Sequence, residues 1–149
     1  MRKFLLLCIE VEETVALIYR QLALSTNVPG ELKVVLNELA NEEDNHASQL
    51  RFALRFPAGT VVVDKSIDVT AVNALLIRAK EILAIVSQEQ LDTRQTIETG
   101  IELEQNFIQA HIGNSLEFKN IEMKKMFSAM AQDEKVHIQK LYDAKLRFL

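Results

Sequence analysis

Residues 31 to 50 read ELKVVLNELANEEDNHASQL, and residues 122 to 141 read EMKKMFSAMAQDEKVHIQKL. Laid over each other at an offset of 91, six of the twenty positions are identical: Glu31/Glu122, Lys33/Lys124, Ala40/Ala131, Glu43/Glu134, His46/His137 and Leu50/Leu141. Each copy holds one Glu-x-x-His, Glu43 with His46 and Glu134 with His137. Residues three apart on a helix share a face. A carboxylate and an imidazole on one face, occurring twice, is the pattern by which helix bundles hold two metal ions in their core.

The repeat extends upstream. Ile9-Glu10-Val11-Glu12 matches Ile101-Glu102-Leu103-Glu104 at an offset of 92, and Tyr19 then corresponds to His111. A helix-turn-helix therefore occurs twice, and the expected architecture is all-α: a four-helix bundle of two pseudo-symmetric hairpins, joined by a long crossover that carries an additional helix. The chain, at 149 residues, is read as a single domain. Its helices are expected over about 2–25, 28–56, 69–87, 93–113 and 120–147. Asn27, Asp92 and Asn120 are the candidate caps, with Pro29 in a first turn. Thr60 to Val63 reads as extended crossover, and the helix after it is expected outside the bundle or in a subunit contact.

The inward stripes carry charge. On the first helix the stripe is Cys8, Glu12, Val15, Tyr19 and Leu22; on the second, Leu36, Leu39, Glu43, His46, Leu50 and Ala53. Ile97, Ile101, Glu104, Ile108 and His111 follow in the second half, then Phe127, Met130, Glu134, His137 and Leu141. Six ionisable groups thus fall on core faces: Glu12, Glu43, His46, Glu104, Glu134 and His137. Four buried carboxylates without counter-ions are very costly, and their four negative charges match two divalent cations. Mixed oxygen and nitrogen ligands suit iron or manganese better than a closed zinc site. Glu10 and Glu102 lie about 200° around the helix from Glu12 and Glu104 and are expected to face outward.

Composition narrows the classes. Gly (4) and Pro (2) are scarce, in keeping with helix. A net charge of −4 without a basic cluster argues against nucleic-acid binding. Cys8 is the only cysteine, which excludes an internal disulfide or a Cys-rich metal site and points to the cytoplasm. No apolar run is long enough for a bilayer, so no membrane role is expected.

The chain resembles the rubrerythrin-like branch of the ferritin-like di-iron carboxylate superfamily. The resemblance lies in Ile9-Glu10-Val11-Glu12-Glu13 with Tyr19, in Leu39-Ala40-Asn41-Glu42-Glu43-Asp44-Asn45-His46, and in their second-half counterparts. It implies two Fe ions per chain (Mn or a mixed pair being the variants) that react with hydrogen peroxide or dioxygen. It implies Glu12 and Glu104 as ligands, Glu43 and Glu134 as bridges, and His46 and His137 as terminal ligands. Glu42, Asp133, Tyr19 and His111 would support them from outside. A peroxidase or ferroxidase-type oxidoreductase, acting in peroxide detoxification and oxidative stress as a homodimer, is the leading expectation. Iron storage or delivery and a metal-free structural bundle are the alternatives. Two departures bear on the reaction. No rubredoxin-like four-cysteine site is present, so a separate electron donor is implied. The position three after Glu104, where rubrerythrins carry an additional Glu, is Phe107.

Overall fold

The structure, a computed structural model, describes residues 2–57, 69–112 and 120–149, with His111 and Ile112 described by backbone only. Five α-helices and no strands occur among these residues: α1 (Arg2–Ala23), α2 (Gly30–Ala53), α3 (Val69–Gln88), α4 (Thr93–Ile112) and α5 (Ile121–Phe148). The expected Thr60–Val63 crossover lies outside the described residues. None of the helices is long and apolar enough to cross a membrane.

Local chemistry sets the helix ends. Asp92 and Gln95 form a reciprocal capping box: Gln95 N–H donates to Asp92 Oδ1 (2.8 Å) and Asp92 N–H to Gln95 Oε1 (3.0 Å). The Asn120 side chain accepts from the backbone of Glu122 and Met123 at the start of α5. At α2 the expected cap is corrected. Pro29, not Asn27, occupies the N-cap position, and no side chain caps this end. Asn27 instead donates its N–H to Ser25 Oγ at 3.2 Å within the turn. A proline fits there because the cap contributes a carbonyl, and that carbonyl accepts from Lys33 N–H at 3.1 Å.

α1 packs along α2, and α4 along α5, so each repeat forms one hairpin; α2 meets α5 and α1 meets α4. The two hairpins are tied at one end. Ser25 Oγ donates to the Leu91 carbonyl (2.9 Å), and Thr93 Oγ1 to the Asn27 carbonyl (3.1 Å). Close approach of α4 and α5 depends on Gly100: a Cβ there would meet both Leu141 methyls at 3.0 Å. Among the residues whose side chains are described, the inward stripes are buried as expected, with two adjustments in the second half. Ile108 is only half-buried while Phe107 is 1% exposed, and Phe127 is half-buried while Met123 is 1% exposed.

α3 lies against α1 and α4, outside the hairpin contacts. It buries Val72, Leu75, Leu76, Ala79, Ile82 and Val86. Two ion pairs hold its other edge. Lys80 Nζ bonds Glu10 Oε1 at 2.6 Å, and Arg78 Nε bonds Glu102 Oε1 at 2.7 Å. Glu10 and Glu102 are repeat counterparts, so α3 spans the seam between α1 and α4.

Candidate metal centre

All six ionisable stripe residues converge in the core. Glu12 and Glu134 are 0% exposed, Glu43, Glu104 and His137 1%, and His46 2%. Two groups form with ligand atoms within 4.8 Å of one another: Glu12, Glu43 and His46, and Glu43, Glu104 and His137. Glu43 belongs to both. Glu134 is buried beside them and acts electrostatically on Glu12 and His46, but joins neither group.

The imidazoles are turned the same way. His46 Nδ1 faces Glu43 Oε2 (3.3 Å) and Glu12 Oε2 (3.7 Å), and His137 Nδ1 faces Glu43 Oε1 (3.1 Å) and Glu104 Oε2 (3.7 Å). Each Nε2 points to the opposite hairpin: His46 to Asp133 Oδ2 at 3.2 Å, and His137 to Glu42 Oε2 at 2.6 Å. The Asp133 carboxylate hydrogen-bonds His46 Nε2, which fixes that tautomer and leaves the Nδ1 lone pair for a cation, whereas Glu42 faces His137 Nε2 at ion-pair distance without hydrogen-bond geometry. The rings lie stacked with centroids 5.6 Å apart and 20° between planes. The Tyr19 hydroxyl donates to Glu104 Oε1 across the bundle. The side chain of His111, the counterpart of Tyr19, lies outside the described residues. Glu10, Glu13 and Glu102 face solvent and pair with Lys80, Arg51 and Arg78.

The electrostatics are those of a box short of positive charge. Burial, then Glu43, pushes Glu12 well above the usual carboxylate range. Burial and Glu104 push Glu134 up to about 9, and burial and Glu43 push Glu104 to about 7. Glu43 is also raised by burial, yet the neighbouring imidazoles of His137 and His46 outweigh it and hold Glu43 well below the usual range. The imidazoles are lowered by burial but raised more by their carboxylates. Glu43 and Asp133 bring His46 to about 9; Glu104 and Glu43 bring His137 to about 10. Cys8, one turn before Glu12, is 1% exposed, and burial followed by Glu12 and Glu134 pushes its thiol upward, so it stays protonated.

Fit to cations follows from the oxygens. Neither oxygen of Glu12 meets a hydrogen-bond donor among the described residues. A fully buried carboxylate without a donor is strongly disfavoured. A cation held by Glu12, Glu43 and His46, or by Glu43, Glu104 and His137, would offset that penalty.

Sequence reasoning missed Lys140, Asn45 and Gln49. Lys140 Nζ bonds Glu42 Oε1 at 3.1 Å. Asn45 and Gln49 line a cavity with both imidazoles. The available signal was spacing: Lys140 lies three after His137, and Gln49 three after His46.

The fold and site define a class: an all-helical protein with buried Glu/His groups placed so that they can hold metal ions. Comparison with protein-family models, curated proteins and solved structures found no match.

Proposed function

We propose that this chain is a non-haem di-iron oxidoreductase of rubrerythrin/ferritin-like type, reacting its centre with hydrogen peroxide or dioxygen. The observation that carries the reading is the pair of buried ligand groups sharing Glu43. Glu12, Glu43 and His46 would hold one ion; Glu43, Glu104 and His137 would hold the other, with Glu134 closing the same buried box. Bound there, two ferrous ions would supply the two electrons that, with two protons, convert one hydrogen peroxide to two waters.

The remaining chemistry belongs to the chain. Asp133 and Glu42 orient the imidazoles through Nε2. Tyr19 positions Glu104 through its hydroxyl. Phe107 and Leu39, 1% and 0% exposed, help keep the surroundings dry. In this reading the electrons would come from a separate donor. A homodimer in the cytoplasm is the assembly this reading carries.

The test starts with anaerobic Fe(II) loading. About two irons per chain are expected by metal analysis, and none would refute the centre. Stopped-flow mixing of the loaded protein with each oxidant should then give fast oxidation with at least one. Indifference to both, with iron bound, would refute the oxidoreductase. Light scattering should report a small oligomer; a closed shell of many subunits would favour iron storage.

A further inference from the structure

The centre is closed unequally on its two sides. On one side α3 spans the α1–α4 seam, pinned by Lys80 to Glu10 and by Arg78 to Glu102. On the other side, between α2 and α5, lies a cavity of about 180 Å³ lined by Glu42, Asn45, His46, Gln49, Asp133, Val136 and His137. Its wall includes both buried imidazoles, and His46 Nδ1 faces Glu12 Oε2, one of the two donor-less oxygens, at 3.7 Å. Such a volume holds several waters, enough for a partly hydrated ion. The cavity between α3 and α4, lined by residues such as Ala74, Leu75 and Asn106, includes none of the six buried groups.

The rim is acidic but not symmetric. Glu42 and Asp133 are 39% and 55% exposed at the side chain. They are repeat counterparts and draw cations inward. Lys140 sits beside Glu42, 32% exposed, with Nζ at 3.1 Å from Oε1. Its repeat counterpart is Gln49, which carries no charge. One half of the rim thus holds a lysine where the other holds a glutamine.

The geometry points to the α2–α5 seam as the port through which divalent cations reach the buried centre, with Lys140 as the charge that slows their passage. This inference rests on the metal-centre reading. Each rim carboxylate faces one imidazole, His137 at Glu42 and His46 at Asp133, but a dication passing Glu42 must also displace Lys140, whereas beside Asp133 no lysine or arginine pairs with the carboxylate among the described residues. Asp133 is therefore the favoured side. Neither Lys140 nor Gln49 is among the six groups at the centre, so exchanging their charges changes the path and leaves the destination intact.

The experiment measures Co(II) uptake by the metal-free full-length chain in stopped flow, following its visible absorption. A +1 charge about 6 Å from a dication in water changes its free energy enough for roughly a tenfold change in rate. Lys140→Gln should speed uptake by up to about tenfold at low salt, and Gln49→Lys should slow it by a similar factor. Final stoichiometry should match wild type in both, and the differences should shrink at high salt. Opposite shifts cannot come from misfolding, which slows or abolishes both. Lys80→Gln, on the α3 side, should leave the rate unchanged. Wild-type rates in both port variants, or acceleration in Lys80→Gln instead, would overturn the port while leaving the centre standing. No cobalt bound by wild type would overturn the centre, and the port with it.

Discussion

Filling the centre with metal should expel protons, and the number can be worked from the site. At pH 7 Glu134, His46 and His137 are protonated in the metal-free protein, because they are pushed up to about 9, 9 and 10, and Glu12 is shifted in the same direction. Glu104, pushed to about 7, is half protonated, and Glu43 is held ionised. Protons therefore stand in for metals. Ligation requires neutral imidazoles and ionised carboxylates, so loading at pH 7 should release about three to four protons from Glu134, His46, His137 and Glu104, with any held by Glu12 in addition. Near pH 9.5 the release from these four groups should fall to about one. By linkage, the apparent affinity for the pair should weaken by roughly three to four powers of ten per pH unit of acidification around neutrality. The assay is anaerobic titration with Mn(II) in weak buffer, with a pH indicator and metal analysis in parallel. Two Mn(II) bound with release of one proton or none would refute the reasoning, since the carboxylates would then already be ionised and the imidazoles neutral.

Three other outcomes follow from the same contacts. Glu43→Gln should lower metal stoichiometry more than Glu12→Gln or Glu104→Gln, because Glu43 alone belongs to both ligand groups; equal losses by metal analysis would contradict that sharing. Tyr19→Phe removes the hydroxyl that donates to the buried Glu104, so the metal-free protein should lose about 1–3 kcal/mol in urea unfolding; an unchanged midpoint would show that the hydroxyl does not hold Glu104. The metal-free protein should lose stability as pH rises from about 5 to 10. Glu104 and Glu134 are held above their unfolded value of 4.5, and His46 and His137 above 6.5, so the native state binds more protons than the unfolded state. The imidazole contribution is complete below about 6.5 and is lost through 9 and 10, while Glu43, shifted the other way, matters only below about 4.5. A thermal midpoint that rises with pH across this window would contradict the assignment, and bound metal should flatten the dependence.

The helices and the inward position of Glu12, Glu43, His46, Glu104, Glu134 and His137 were legible in the sequence, because both are local. Helical periodicity sets the angle of each side chain around its own axis, and the duplicated spacing doubled that signal. Asp92 and Asn120 were legible as caps for the same reason, since a cap bonds only a few residues ahead. Asn27 misled because Asn is a strong capping residue, while Pro29 can end the turn with its carbonyl alone. Tertiary structure decided what periodicity does not specify, namely how helices rotate and slide against one another. It set Glu43 between both groups and left Glu134 outside them, placed Asp133 on His46 and Glu42 on His137, and laid α3 over one seam. It also broke the symmetry of the opposite seam, where Lys140 reaches Glu42 and Gln49 offers no charge to Asp133. A repeat predicts equivalence between its copies; only packing determines where that equivalence fails.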